Sequence, residues 1–132
     1  MMEQLVTQLK ERKWSLFSVD LKGTNLTGAD LEGANLTNAN LTNANLTNAN
    51  LTNANLDGAY LAYANLENAN LTNADIRSAK LADANLENAN LTNANLECAR
   101  LSRASLFKAN LRKTQLRGAN LENVVMRHAN LD

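Results

Sequence analysis

One cysteine and one histidine, Cys98 and His128, are the residues from which this chain could build a thiol nucleophile or a soft metal site. A reactive thiolate needs a base within hydrogen-bond reach, and a zinc site needs three or four converging ligands. Neither arrangement is written here. The carboxylates are scattered, and Cys98 reads as a tolerated outward thiol and His128 as a surface residue, so no enzyme, metal or cofactor is expected. Recognition is the chemistry that remains. Tyr60, Tyr63, Lys80, Asp83, Arg100 and Arg103 interrupt a stretch otherwise rich in Asn and Thr, and Tyr and Arg are enriched at binding hot spots.

What must position these residues is a phrase of five, approximately Ala-Asn-Leu-Thr-Asn, that runs from Val19 to Asp132 without insertion or deletion. A large apolar residue stands at every fifth position from Leu21 to Leu131, giving 23 centres, of which 21 are Leu and the others Ile76 and Met126. Ala stands two positions before the centre in 19 cases, with Val19, Thr24, Thr114 and Val124 as exceptions. A spacing of two puts both side chains on one face of an extended segment. The two polar residues after the centre both point outward, which strict alternation forbids unless the chain turns there. Each phrase is therefore a side and a corner.

The corner chemistry agrees. All five glycines, Gly23, Gly28, Gly33, Gly58 and Gly118, fall two positions after a centre, and Asn is common there. Both residues tolerate the positive φ that the third residue of a type II turn requires. Cys98, Arg103, Lys108 and Lys113 occupy the same position later in the chain, and for them a different turn is expected. The chain has no proline, as suits a structure whose backbone N–H groups are used along its sides.

The run "ANLTNANLTNANLTNANL" resembles the pentapeptide-repeat proteins, and the likeness covers about 114 of the 132 residues. The resemblance implies an all-β solenoid: a right-handed quadrilateral β-helix with four phrases per coil, here about 5.5 coils. At ~4.8 Å per coil the rod is ~27 Å long. Residues 1–17 are expected to form a short N-terminal capping α-helix and junction, and residues 18–132 the β-helix. Met2, Leu5, Val6 and Leu9 make one apolar helix face, with Trp14, Leu16 and Phe17 filling the junction. Many such proteins come from cyanobacteria, and a minority bind DNA gyrase as acidic, DNA-shaped dimers.

Four phrases per coil would align residues 20 apart in columns. Cys98 and His128 then lie on opposite faces. Asn45, Asn65 and Asn85 form a polar ladder, and Asp57, Arg77, Glu97 and Arg117 an ion-pair ladder. Tyr60, Lys80 and Arg100 share one column and Tyr63, Asp83 and Arg103 another, separated by Ala62, Ala82 and Ser102. This strip is the candidate interaction surface, although stacking between coils also accounts for its residues through cation–π and ion-pair contacts.

Net charge is zero overall, but residues 1–22 carry +1, residues 23–97 carry −6 and residues 98–132 carry +5. DNA mimicry would call for about one negative charge per ~1.7 Å, well above this density, and the basic residues of the last segment are distributed over all four faces. The layout argues against nucleic acid as a partner. No signal peptide is evident and no apolar run approaches the ~18 residues of a membrane span, so a cytoplasmic location without membrane association is expected.

The C-terminal phrases carry bulkier residues, with Phe107, Val125, Met126 and Leu131 as candidates for a weak homodimer through the last coil. The function expected is a rigid protein-interaction scaffold in a bacterial cytoplasm, its protein partner unspecified. The alternatives are a gyrase-binding DNA mimic and a structural or stress-related protein without a dedicated ligand.

Overall fold

Twenty parallel bridges join residues 20 apart, from Ser15 with Asn35 to Asn110 with Asn130, in a computed structural model that describes residues 15–132. One coil is therefore four phrases, and the phrase after each corner turns onto the next face. The expected capping helix lies outside the described residues. Ser15, Leu16 and Ser18 already share the repeat geometry: Ser15 is bridged, Leu16 is buried and Ser18 has φ 56°. Phe17 does not fill a junction but is 58% exposed, because it stands one position past a centre and so points outward.

Each phrase disposes of its five amides in a fixed way. In the phrase around Leu71, the Leu71 and Asn73 amides donate to Asn90 O and Thr92 O of the following coil, and the Asn70 amide donates to Ala49 O of the preceding one. The Ala74 amide closes the corner onto Leu71 O at 3.0 Å. The fifth, on Thr72, has no backbone acceptor and donates instead to Asn70 Oδ1 at 3.1 Å, while Thr72 Oγ1 donates to the same oxygen at 2.6 Å. Backbone N–H groups must all find acceptors or water, and this side-chain bond, an Asx turn, explains why Asn precedes Leu and Thr follows it. Every Asn and Asp in that position makes the bond, at 3.0–3.2 Å. The expected Asn ladder is secondary to it: Asn85 Nδ2 reaches Asn65 Oδ1 at 3.4 Å.

Every described corner has positive φ, including Cys98 at 60°, Arg103 at 60°, Lys108 at 58° and Lys113 at 57°. The different turn expected for these four does not occur. Their φ values match those of the Asn corners, because both the corner hydrogen bond and, at Cys98, Arg103 and Lys108, the bond to the next coil demand the same geometry. A left-handed conformation costs an L-residue about 1–2 kcal/mol, less than the local preference would need to break a ladder shared with two neighbours.

The axis is filled by the centres, buried from Leu16 through Leu111, together with the Ala residues two positions before each centre from Ala29 to Ala109. Burying each Leu is worth about 1.5–3 kcal/mol relative to exposure, and stacking coil on coil repeats that gain without a globular core. Beyond Leu111 the centres Leu116, Leu121 and Met126 are only partly buried.

Candidate recognition surface

The bridges Tyr60 with Lys80 and Lys80 with Arg100 place these three side chains in one column on the face whose inward residues are Leu61, Leu81 and Leu101. Tyr63, Asp83 and Arg103 stand at the corners of the same rungs. The structure thus brings together all six residues that the sequence singles out. Lys80 Nζ lies 4.3 Å from the centroid of the Tyr60 ring and 3.4 Å from Gly58 O. Arg103 forks onto Asp83, with Nε donating to Oδ1 at 3.0 Å and Nη2 to Oδ2 at 2.9 Å. That guanidinium holds the Asp83 carboxyl below its ordinary range, with a smaller contribution from Tyr63. Both tyrosines remain exposed, Tyr63 at 62%. Arg100 is exposed, and its side chain makes no hydrogen bond or ion pair among the described residues.

Replacing Asn by Tyr60, Lys80 and Arg100 has a consequence that pattern reading missed. None of the three can form the Asx turn, so the amides of Ala62, Ala82 and Ser102 donate to no protein acceptor among the described residues. These residues lie on consecutive rungs between the two columns and are half-buried. The signal was available in the sequence as three non-Asn residues 20 apart, once the job of Asn is understood.

The ion-pair ladder of Asp57, Arg77, Glu97 and Arg117 does not form. Arg77 turns to Asp75 in its own phrase, with Nη2 at 2.6 Å from Oδ2 and Nε at 2.8 Å from Oδ1. Asp75 is held two residues away in the same phrase, and Arg77 takes it in preference to Asp57 and Glu97 of the adjacent coils. The pairing lowers the Asp75 carboxyl below its ordinary range, chiefly through the side-chain hydrogen bond.

At the other candidate surface, Phe107 is half-buried, meeting His128 edge-on at 5.8 Å between ring centroids and Lys108 Nζ at 5.1 Å. Val125 and Leu131 are exposed, and Met126 packs partly against the core. Cys98 is a free, exposed thiol on the face opposite His128. Among the described residues no three His, Cys, Asp or Glu side chains gather as metal ligands, and no helix is long and apolar enough to cross a membrane.

A coil of four five-residue sides with Leu and Ala inward is the geometry of one class of protein, and the family described as "Pentapeptide repeats" matches in eight copies across residues 15–53, 49–88, 69–106, 84–123 and 104–132. The chain belongs to the pentapeptide-repeat family. Among solved structures it is similar to the pentapeptide repeat protein Rfr23 from the cyanobacterium Cyanothece 51142, with 32% identity, all of both chains covered and a TM-score of 0.85. It is also similar to HetL from the cyanobacterium Nostoc sp. strain PCC 7120, a pentapeptide repeat protein involved in heterocyst differentiation regulation, at 32% identity and TM-score 0.50, covering 89% of this chain and 66% of that one. QnrB1, a plasmid-mediated fluoroquinolone resistance protein, shares the fold at 21% identity and TM-score 0.65, over 85% of this chain and 64% of its own. A comparison with curated protein sequences returns no significant match.

Proposed function

We propose that this pentapeptide-repeat solenoid is a rigid protein-interaction scaffold of a bacterial cytoplasm, and that it binds its partner through the strip of Tyr60, Tyr63, Lys80, Asp83, Arg100 and Arg103. The reading draws most on one observation: this face alone replaces three successive turn-capping Asn residues by Tyr, Lys and Arg. A rod whose backbone is held by its own inter-coil ladder at all but a few amides offers a partner side chains on a fixed lattice, with little reorganisation on binding. The right-handed sense of the coil and a capping role for residues 1–17 belong to the same proposal and are supported by the family likeness. Its scaffold character, without catalysis, is supported by the dispersal of Cys98 and His128 to opposite faces.

The test is capture of partners from the native host by the parent and by a variant with Tyr60, Tyr63 and Arg103 replaced by Asn. Asn suits both the turn-capping and the corner positions and offsets the lost Arg103–Asp83 pair, so the melting temperature should be little changed while the parent's partners are lost. Recovery of identical partners would overturn the reading. A supercoiling-inhibition assay addresses the gyrase alternative, for which the zero net charge is unfavourable.

Self-association through the last coil is a second reading, favoured by the exposure of Val125 and Leu131 beside the partly buried Met126. Covering this small apolar area at ~25 cal/mol per Å² gives only a weak dimer. Light scattering over a dilution series on the parent and Met126→Lys tests it, and a parent that stays monomeric at high concentration would exclude it.

A further inference from the structure

We infer that the strip binds an extended acidic peptide segment of a partner protein, whose carboxylate oxygens occupy the acceptor positions that Asn Oδ1 fills elsewhere on the rod. The inference rests on the recognition surface proposed above and names its ligand. Wherever Asn or Asp precedes a centre, its side-chain oxygen holds the amide after that centre at 3.0–3.2 Å. On the strip that oxygen is missing on three consecutive rungs, leaving the Ala62, Ala82 and Ser102 amides as a row of donors ~4.8 Å apart. An acceptor entering from outside completes a pattern for which the backbone is already set.

The side chains that displaced the Asn residues select the charge of that acceptor. Lys80, Arg100 and Arg103 carry three positive charges against the negative charges of Asp83 and of Glu122, which ends the row one rung beyond Ser102, and the Arg100 side chain has no internal partner among the described residues. A carboxylate aligned on Ser102 would meet the Arg100 guanidinium, which suits two-pronged carboxylate binding. Small side chains at Ala62, Ala82 and Ser102 leave the row open to approach, and the exposed Tyr63 ring at one end can cover an apolar residue next to the acidic ones. A long polyanion fits less well. The basic stretch is only three rungs long, and residues 23–97 around it carry a net −6 that would repel a nucleic-acid strand extending past it. β-strand addition is excluded on the faces, since the inter-coil ladder already occupies the remaining backbone groups.

Charge and amide contributions can be separated at one pair of positions. Asn at 80 and 100 removes both cations and restores the internal acceptor, whereas Gln removes the cations and leaves the amides free, as Gln115 leaves the Arg117 amide without a side-chain partner. The probes are a fluorescein-labelled peptide of five Glu-Ala repeats preceded by Leu, the same peptide with Gln for Glu, and a ten-nucleotide single-stranded DNA. Titration of the isotope-labelled parent with the acidic peptide should move the Ala62, Ala82 and Ser102 amide protons downfield and leave that of Arg127, an uncapped amide on another face, in place.

Fluorescence anisotropy should show the Lys80→Gln, Arg100→Gln pair binding the acidic peptide several-fold more weakly than the parent. The Lys80→Asn, Arg100→Asn pair should bind about tenfold more weakly again, although its restored Asx turns raise its melting temperature. Equal loss in the two pairs would remove the amides from the account. DNA or the Gln peptide bound as tightly as the acidic peptide, or no binding of the acidic peptide at all, would overturn the ligand assignment. In that last case partner capture by the strip variants still decides separately whether the strip is a recognition surface.

Discussion

Replacing Asn70 by Ala in the middle of the rod removes the oxygen that holds both Thr72 N at 3.1 Å and Thr72 Oγ1 at 2.6 Å. Each hydrogen bond is worth a net ~0.5–1.5 kcal/mol. Asn70 is exposed, so water can take over part of both, and the expected loss is about 1–2 kcal/mol rather than the sum of the upper limits. Coils above and below confine the damage to one side, because a solenoid's stability is a sum of units and nearest-neighbour contacts. Urea unfolding of the parent, Asn70→Ala, Asn70→Gln and Thr72→Val should rank them by midpoint. Gln should lose as much as Ala, since one more methylene carries the oxygen past the amide. Thr72→Val should lose only ~0.5–1 kcal/mol, because the backbone bond remains. If Asn70→Ala unfolds with the parent, or Gln preserves the midpoint, the turn-capping explanation of the repeat's Asn is wrong, and with it the reason for regarding the strip as donor-rich.

Thr24 occupies a position that is Ala in the next four coils, and its buried hydroxyl has no hydrogen-bond partner among the described residues; Thr24→Val should stabilise the protein by about 1–3 kcal/mol in urea unfolding, and a lower midpoint would contradict the inward assignment. Lys113→Gly, at φ 57°, exchanges a left-handed cost of ~1–2 kcal/mol for a Gly entropy cost of ~0.5–1 kcal/mol. A net gain of ~0.5–1 kcal/mol is expected by calorimetry, and destabilisation would mean the Lys corner is not strained. Asp83 is held below its ordinary range by Arg103, so its contribution is present above the unfolded carboxylate value of about 4 and fades as pH falls through the lower folded value. The midpoint difference between the parent and Asp83→Asn, measured from pH 7 downward, should therefore be constant to about pH 5 and shrink below pH 4, whereas a difference growing in acid would reverse the assigned direction.

How much of this could be read beforehand depended on whether a residue's role is set within its own phrase or by a neighbour 20 residues away. Leu66 and Ala64 are legible as inward residues because a spacing of two settles their face locally, and both are buried. The Gly and Asn corners are legible because their φ preference agrees with the turn. Arg103 and Lys108 are not: their intrinsic preference opposes the conformation that the coil requires, and the closed ladder prevails. Alignment at 20 residues brings Tyr60, Lys80 and Arg100 into one column, as the bridges have them, but alignment alone does not choose partners. Arg77 had carboxylates within reach in two directions and took Asp75, two residues away, while Arg103 took Asp83 from the adjacent coil.

The period, the inward Leu and Ala, and the position of the corners all follow from side-chain size and spacing repeated along the chain without interruption. Which amides lack an acceptor emerges from the stacked coils alone. That outcome requires every bond to the coils above and below to be placed before the unpaired donor can be recognised, and the donors of Ala62, Ala82 and Ser102 become a continuous row only when three coils are stacked.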